Sequence, residues 1–421
     1  MTRIVARRPE PPSRSGAGKE DELNRLMPVA ALLLLGLITA CSDESAAPFD
    51  ATELAHELLI VDTHIDVPYR LQEKYEDVTN ATAEGDFDYP RARAGGLDVA
   101  FMSIYIPADH FETGDGRELA DKMIDEVESI AGRASDRFAL AYSTADVAAN
   151  FAAGKISLAL GMENGTGLDG DLGNLEHFYS RGIRYITLAH SKSNRLSDSS
   201  YDENRPLGGL SDLGREAVTR MNALGIMVDI SHLTDAAAHQ VLELSAAPVI
   251  ASHSSARKFT PGFERNMDDA LIEALARNGG VIQINFGSAF LTAESNAAFM
   301  RYWDAREAFA DEHDYAEDSP EIEAFEERYK AENPIPLATL TDVLDHIDHV
   351  VAIAGIDHVG LGSDFDGVGD SLPEGLKDVS AYPALIRGLL DRGYSLSEIE
   401  KICGGNVMRV WRAVEAHAKV L

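Results

Sequence analysis

Residues 225–255 read GIMVDISHLTDAAAHQVLELSAAPVIASHSS, and this stretch contains one strand–helix–strand unit. Two short apolar runs, at 226–230 and 249–251, flank an amphipathic stretch at 236–244. Runs that are hydrophobic almost without interruption are typical of parallel strands that helices cover on both faces. The unit therefore predicts two parallel strands joined by a helix, with a histidine soon after each strand.

The same alternation extends along most of the chain. Eight short apolar runs occur, at 58–61, 99–106, 156–161, 183–188, 226–230, 249–251, 281–286 and 358–362. Amphipathic stretches lie between several of these runs, at 118–131, 213–224, 236–244 and 268–277. Eight βα units in a chain of 421 residues predict an α/β fold, a (β/α)8 TIM-type barrel.

The largest interruption of this pattern is the segment 291–335, between the seventh and eighth runs. It contains 13 acidic and four basic residues, few β-branched residues, and the aromatic residues Trp303 and Tyr329. We interpret the segment as a helical insertion at the mouth of the barrel or on its side. A solvated surface excursion explains the composition equally well, and the sequence alone assigns the segment no role.

The chain is strongly acidic. It has 70 Asp and Glu against 37 Lys and Arg, which gives a formal net charge of -33 and a pI of about 4.6. Binding to nucleic acid or to anionic lipid through a polybasic patch needs a basic surface, so the charge argues against both. Only two cysteines are present, Cys41 and Cys403, which excludes a disulfide scaffold. We expect Cys403, in a helical stretch near the C-terminus, to lie in or near the core.

The N-terminal part of the chain has the pattern of a targeting segment. An apolar stretch at 28–40, PVAALLLLGLITA, is too short to span a bilayer but suits a signal peptide. Residues 37–41, LITAC, resemble a bacterial lipobox, whose cysteine is lipidated and becomes the first mature residue. An ordinary secretory signal with a chance cysteine is the alternative. The leader before Met27 is long and contains three consecutive acids at 20–22, which suggests a true start after Met1.

These features predict three parts of the chain. A signal peptide occupies 1–40, a tether 41–52, and the barrel domain 53–421. Lipidation of Cys41 would anchor the protein to a membrane, as a lipoprotein of the cell envelope. Ser42, rather than an aspartate, follows the cysteine and favours the outer membrane, with the barrel facing the periplasm.

Polar residues of a particular kind follow the apolar runs. In a (β/α)8 barrel, catalytic groups lie at the carboxyl ends of the strands. His64 and Asp66 follow the first run, and their spacing puts both side chains on one side of an extended strand. Single candidates follow five other runs, namely Glu163, His190, His232, His253 and Asp364. One such histidine is more often structural than a ligand, but four of the eight runs end in histidine. Because imidazoles and carboxylates bind divalent cations, we predict a metal centre at this end of the barrel.

The segments that carry these residues resemble the membrane (renal) dipeptidase family, zinc peptidases of the amidohydrolase superfamily. The matching segments are VDTHIDVPYRL (61–71), GGLDVAFMS (95–103), GMENG (161–165), GIRYITLAHSKSN (182–194), GLSDLGREAVTRMNALGIMVDISHLTD (209–235), APVIASHSSAR (247–257), ERN (264–266), GGVIQINF (279–286) and HVGLGSDFDGV (358–368). They cover nearly the whole predicted mature chain in order. The resemblance implies a metallo-dipeptidase that hydrolyses the peptide bond of dipeptides, including those with a D-residue second. The attack would come from a hydroxide that two metal ions share.

The resemblance also implies a metal cofactor, two Zn²⁺ ions per chain. His64 and Asp66 match the ligands of one ion, and His232 and His253 match the ligands of the other. Glu163 matches the carboxylate that bridges the two. A bridging carboxylate is chemically reasonable because it offers one oxygen to each ion.

Three further residues match family positions that act on the substrate. His190 matches a histidine that points at the scissile carbonyl, and it counts as both catalytic and substrate-binding. Asp364 matches the catalytic carboxylate beside the bridging water, and Arg265 matches the residue that holds the C-terminal carboxylate. Phe290 departs from the family pattern, which has a tyrosine there. A homodimer is compatible with the family, but the sequence does not set the oligomeric state.

Two other functions stay open. A different amidohydrolase-type enzyme, acting on a small N-acyl amino acid or a lactam, would usually have an HxH pair on its first strand and often a bridging lysine. The pair here is His64 and Asp66, and the candidate bridge is Glu163, which favours the dipeptidase. An inactive substrate-binding lipoprotein would be expected to have lost a ligand, and all five candidates are present. We expect His346 and His349, on a predicted helix, to be ordinary surface residues.

Overall fold

The computed structural model describes residues 49–313, 315 and 319–419. The predicted signal peptide at 1–40, Cys41 and most of the predicted tether at 41–52 lie outside the described residues. The first helix, α1 (Ala51–Glu57), begins within the predicted tether, and the side chain of Asp50 caps it. Within the described ranges, no helix has the length and apolar character needed to span a bilayer.

Nine parallel strands form one sheet. They are β1 Ile60–Ile65, β2 Leu97–Tyr105, β3 Phe138–Leu140, β4 Ile156–Glu163, β5 Ile183–Thr187, β6 Met227–Asp229, β7 Ile250–Ala251, β8 Val281–Ile284 and β9 Val359–Leu361. Their order is β2-β1-β9-β8-β7-β6-β5-β4-β3, and a further pairing between β2 and β4 closes a ring of eight. Each predicted run overlaps one strand of this ring, so the predicted (β/α)8 barrel is confirmed.

The ninth strand, β3, was not predicted. It pairs with β4 from Phe138↔Ile156 to Leu140↔Leu158, outside the closed ring. On its other side, β4 pairs with β2, from Val99↔Ser157 to Tyr105↔Glu163. Of the three side chains of β3, only that of Phe138 is fully buried, so the strand leaves no periodic signal in the sequence. The strand adds an edge to the sheet without altering the barrel.

Helices surround the barrel. After α1 they are α2 Val67–Glu73, α3 Tyr89–Gly95, α4 His110–Thr113, α5 Gly116–Arg133, α6 Thr144–Ala152, α7 Asn174–Ser180, α8 Asp212–Leu224, α9 Asp235–Leu244, α10 Asp269–Asn278, α11 Ser288–Leu291, α12 Ala293–His313, α13 Pro320–Glu332, α14 Leu340–Ala354, α15 Tyr382–Asp391, α16 Leu396–Glu400 and α17 Asn406–Ala418. The four predicted amphipathic stretches correspond to α5, α8, α9 and α10. Side chains of Ser211, Thr234 and Asp268 accept hydrogen bonds from the first turns of α8, α9 and α10 and define where these helices begin.

The predicted helical insertion between the seventh and eighth barrel strands is confirmed. Helices α12 and α13 lie within the segment 291–335, and α11, which ends at Leu291, leads into it from β8. Stacked rings of Phe309 and Phe325, with centroids 4.5 Å apart, join α12 to α13. An ion pair between Arg306 and Glu326, at 2.6 Å, joins the same helices. Because α11 carries Phe290, the insertion begins at the carboxyl end of the barrel, where the candidate site lies.

The opposite end of the barrel is filled by apolar side chains. Phe101 and Tyr185 are fully buried inside the ring, and Trp411 of α17 packs 5.2 Å from the ring of Phe101. Trp411 belongs to one buried cluster with residues near the starts of several strands, such as Val61 and Val281. Helix α17 therefore covers the amino ends of the strands, and the polar residues are left at the carboxyl ends.

One expectation about α14 is wrong. His346 is fully buried, not a surface residue, and both of its ring nitrogens have partners. Its Nδ1 accepts from the backbone N–H of Ala256 at 3.0 Å, and its Nε2 donates to the carbonyl of Leu291 at 3.0 Å. His346 shares a helix face with the buried Val343 and Val350, and it joins α14 to the loop after β7 and to the end of α11. Cys403 is buried, as expected, in a π-helical turn at Lys401–Gly405.

Candidate active site

The residues predicted for the metal centre come together at the carboxyl ends of the barrel strands. Three overlapping groups have ligand atoms within 4.8 Å of one another. These groups are His64, Glu163 and His253; Glu163, His190 and His232; and His64, Asp66 and Asp364. Their members lie in the last residues of six different strands or soon after them, so closure of the barrel brings them together.

Glu163 lies at the centre of this cluster. Its Oε1 is 3.0 Å from Nε2 of His232 and 3.2 Å from Nε2 of His253. Its Oε2 is 3.4 Å from Nε2 of His64. The two carboxylate oxygens therefore face different sets of nitrogen atoms, which is the arrangement that a bridging ligand requires.

A hydrogen-bond chain fixes the tautomer of His64. The hydroxyl of Tyr185 donates to the carbonyl of Thr63 at 3.0 Å, so it accepts the hydrogen bond from Nδ1 of His64 at 2.8 Å. When the ring is neutral, its proton is therefore on Nδ1 and the lone pair of Nε2 points into the cluster. Burial alone would lower the pKa of His64, but Tyr185 and the carboxylates of Asp66 and Glu163 raise it well above the usual value, so a cation and a proton compete for Nε2. That Nε2 is buried and has no hydrogen-bond partner in the described chain.

A second series of hydrogen bonds fixes the tautomer of His253. The hydroxyl of Ser252 donates to Oδ2 of Asp229 at 2.5 Å, so it accepts from Nδ1 of His253 at 2.8 Å. Thr187 also donates to Asp229 Oδ2, at 2.5 Å, and the backbone N–H groups of Ser231 and Ser252 donate to Oδ1. The fully buried Asp229 is thereby held in place, and the lone pair of His253 Nε2 faces Glu163. Such outer partners commonly orient metal-ligating histidines.

The electrostatics of the cluster also suit a cation. Burial lowers the pKa of both His232 and His253 well below the usual value, and the positive charge of Arg265 adds to the effect. Both imidazoles are therefore neutral at neutral pH, which is their ligand form. Burial alone would raise the pKa of Glu163, but its interactions with the surrounding histidines hold it well below the usual value. The donor set and the unpartnered Nε2 of His64 fit a bound metal.

Asp66 and Asp364 lie on the other side of His64. Oδ2 of Asp66 is 3.4 Å from its Nε2, and Oδ1 of Asp364 is 4.0 Å away. Asn285 donates to Oδ2 of Asp364 at 2.7 Å. Burial, with the nearby charge of Asp66, raises the pKa of Asp364 to about 8. A Cβ at Gly367 would lie 2.2 Å from Asp66 Oδ2, so only glycine leaves room for the two carboxylates.

His190 lies beside the cluster. Its ring centroid is 4.2 Å from that of His232 and 4.7 Å from that of Tyr105. Its Nε2 is 3.6 Å from Oε1 of Glu163, and its side chain retains 20% exposure, more than the other predicted site residues that form ion pairs in the cluster. Burial lowers the pKa of His190, so the ring is neutral at neutral pH. It stands where it can face both the cluster and a bound molecule.

Arg265 is buried near the same cluster without an acidic partner. It is 3% exposed, and its Nη1 and Nη2 donate to Oγ of Ser254 and to the carbonyl of His253, each at 2.8 Å. Its Nε is buried and has no partner, and none of the described carboxylates forms an ion pair with it. The guanidinium carbon lies 5.3 Å from the ring centroid of Phe290. A buried guanidinium that has no carboxylate partner is suited to bind an anionic group of a ligand.

Sequence reasoning missed the residues that orient the ligands. Tyr185 lies inside the apolar run 183–188, where nothing in the sequence distinguishes it from its apolar neighbours. Asp229 offered a signal, since it is an acid within an apolar run, three residues before His232.

Over most of its length, the chain is similar in sequence to a known family of peptidases. The model of the membrane dipeptidase family, peptidase family M19, matches residues 49–421. An uncharacterized dipeptidase of Schizosaccharomyces pombe is 35% identical over 384 residues, which cover 86% of this chain and 82% of the relative. Dipeptidase aclJ of Aspergillus oryzae is 35% identical, over 80% of this chain and 72% of the relative.

Solved structures show the same likeness. The probable dipeptidase PvdM from Pseudomonas aeruginosa has a TM-score of 0.76 and 29% identity, and the match covers 87% of this chain and 98% of PvdM. A metallopeptidase from Rhodobacter sphaeroides has a TM-score of 0.68 and 26% identity, with 85% of this chain and 99% of that chain covered. That protein was crystallised with a phosphinate mimic of the dipeptide L-Ala-D-Ala.

Proposed function

The chain belongs to the membrane dipeptidase family and is a dipeptidase, and we propose that it works with two zinc ions held around Glu163. The observation that carries this proposal is the position of the Glu163 carboxylate, with His232 and His253 on one oxygen and His64 on the other. In this assignment, Asp66 completes the ligand set on the side of His64. A pair of divalent cations supplies Lewis-acid catalysis, by polarising a carbonyl and making water nucleophilic near neutral pH.

The remaining predicted residues act on the substrate. His190 stands beside the cluster with a neutral ring that can donate a hydrogen bond to the oxyanion that develops on the scissile carbonyl. In its ionised form, Asp364, fixed by Asn285, takes a proton from the attacking water and passes it to the leaving amine. Burial disfavours this form, and the positive charge of two bound cations would favour it. Arg265 binds the free carboxylate at the end of the dipeptide through its unpaired Nε–H and the second N–H of a terminal nitrogen.

We further propose that dipeptides with a D-residue second are substrates. The L-Ala-D-Ala mimic bound to the Rhodobacter sphaeroides metallopeptidase supports this proposal, since 85% of the present chain aligns with that protein. A panel of dipeptides that differ only in the configuration of the second residue would test it. Hydrolysis of the L-forms alone would contradict it.

Replacement of Arg265 tests how the substrate is bound. Arg265→Ala should raise KM about 10- to 100-fold with a smaller effect on kcat, because charge-assisted hydrogen bonds to a remote carboxylate act in both ground and transition states. It should also narrow the difference in kcat/KM between a dipeptide and its C-terminal amide. Arg277→Ala, at an exposed arginine paired with Glu273 on α10, is the matched control. An unchanged acid-to-amide ratio in Arg265→Ala would rule out carboxylate binding by this residue.

We also propose that the protein is a lipoprotein, anchored through Cys41 in the outer membrane and facing the periplasm. The lipobox-like LITAC at 37–41 supports the anchor, and Ser42 supports the outer membrane. Three acyl chains would hold the protein stably, whereas one chain gives only marginal binding. Cys41→Ala should move the protein from the membrane fraction to the soluble fraction after cell lysis. A Cys41→Ala protein that stays with the membrane would refute the anchor.

The homodimer that the family resemblance allows stays a prediction.

A further inference from the structure

The loop between β5 and α8, residues 188–211, lies over the candidate site and is attached to it. The backbone N–H of Ser200 donates to the carbonyl of His232 at 2.8 Å, and Ser199 pairs with Leu233 in an isolated β-bridge. Within the loop, the carboxylate of Asp198 accepts from the backbone N–H groups of Leu207 and Gly209, at 3.2 and 2.9 Å. The residue that follows Ser200 is therefore held beside a predicted metal ligand.

That residue is Tyr201, and its ring forms one end of an aromatic wall. The ring centroid lies 5.9 Å from that of His232 and 5.9 Å from that of Phe263. Phe263 in turn lies 5.8 Å from Phe290, over which Arg265 is placed. The wall thus runs from the metal cluster to the buried guanidinium.

The hydroxyl of Tyr201 has no hydrogen-bond partner among the described residues. The charged groups that act on it are Arg265, Asp364 and Glu163, all of which line the candidate site. A tyrosine hydroxyl has an ordinary pKa of about 10, so it is a protonated donor at neutral pH. The side chain is partly exposed, so the hydroxyl is accessible to an acceptor on a bound molecule.

We propose that Tyr201 is a substrate-binding residue, whose hydroxyl donates to the C-terminal carboxylate of the dipeptide that Arg265 also binds. Two donors from different loops would fix the orientation of a carboxylate, which has two acceptor oxygens. This inference rests on the proposed function, because it takes a dipeptide as the ligand. It adds a residue that neither the strand-end pattern nor the family resemblance identified.

The test is Tyr201→Phe, which keeps the ring and removes the hydroxyl. Because no described residue hydrogen-bonds to that hydroxyl, the change removes no internal hydrogen bond and should leave the melting temperature and zinc content unchanged. On a good dipeptide, kcat/KM should fall about 10- to 100-fold, chiefly through KM. On the C-terminal amide of the same dipeptide, the loss should be less than about threefold, since that group carries no charge. Tyr75→Phe, at a residue that is 59% exposed, is the matched control and should behave as wild type.

A double-substitution cycle separates shared binding from mere proximity. If Tyr201 and Arg265 bind one carboxylate, the losses in kcat/KM caused by Tyr201→Phe and by Arg265→Lys are not independent. The product of the two single fold-losses on the dipeptide should then exceed the fold-loss of the double variant. Equal losses on dipeptide and amide, or no loss on either, would overturn the role of Tyr201.

Calorimetric binding of a phosphinate dipeptide analogue, as free acid and as amide, gives a readout that needs no turnover. Wild-type protein that hydrolyses no dipeptide contradicts the proposed function, whereas an active wild type with an unaffected Tyr201→Phe variant contradicts this inference alone. If Tyr201→Phe binds the acid form as tightly as wild type does, the inference fails whatever the turnover assay shows.

Discussion

Glu163→Ala is expected to reduce kcat/KM for a dipeptide by at least about 100-fold. Loss of a residue that only hydrogen-bonds to a metal ligand typically costs about 10- to 100-fold, and loss of a ligand should cost more. The reason is that, among the residues that the structure describes, Glu163 alone has one oxygen 3.0 Å from Nε2 of His232 and the other 3.4 Å from Nε2 of His64. The variant should also lose more zinc than His64→Ala, which removes a nitrogen from one side only. Zinc content after gel filtration, measured with kcat/KM on one dipeptide, checks both expectations.

The control for this change is Glu176→Ala, which removes a carboxylate whose side chain is 51% exposed in an ion pair with Arg220. Such surface pairs contribute about 0–1 kcal/mol, so the control should keep both zinc and activity. A Glu163→Ala protein with wild-type zinc content and activity would show that this carboxylate bridges nothing.

His190→Ala is expected to lower kcat by about 10²–10³-fold with a smaller change in KM. Its proposed hydrogen bond forms to charge that exists only in the transition state, and the loss of such a bond lowers kcat and kcat/KM together. Steady-state kinetics on the dipeptide used for Arg265→Ala gives the comparison. Arg265→Ala should mainly raise KM, whereas His190→Ala should mainly lower kcat.

Zinc content distinguishes this role of His190 from a ligand role. His190 also lies in a group with Glu163 and His232 whose atoms could hold an ion. If it is a substrate-facing donor, His190→Ala should keep wild-type zinc content. A fall in zinc that matches the fall in kcat would make His190 a ligand instead. His56→Ala, at an exposed histidine of α1, controls for the loss of an imidazole.

Much of the fold could be predicted because parallel strands buried on both faces leave short, continuous apolar runs. Eight such runs correspond to the eight strands of the ring. The positions of His64, Glu163, His232 and His253 near one another could also be predicted, since the carboxyl ends of all strands meet at one end of a closed barrel. The strand β3 could not be predicted, because three residues at the edge of the sheet are too few to show a pattern of apolar and polar positions.

Residues that act through another side chain were the harder part. The hydroxyl of Tyr185 contacts His64 although β2 and β4 lie between their strands in the ring, and no spacing along the chain encodes that contact. His346 was misjudged for a similar reason. Its neighbours on α14 include the exposed Thr341 and the partly exposed Asp348, but its own ring faces Ala256 and Leu291, which lie far away in sequence.

Titration of metal-free wild-type protein with zinc tests the two-zinc assignment most directly. Bound zinc per chain and the rate of hydrolysis of one dipeptide are measured on the same samples. A dipeptidase with two ions around Glu163 should be inactive without metal and should reach full activity at about two equivalents per chain. Full activity at one equivalent, or no dipeptide hydrolysis at any zinc load, would contradict that assignment.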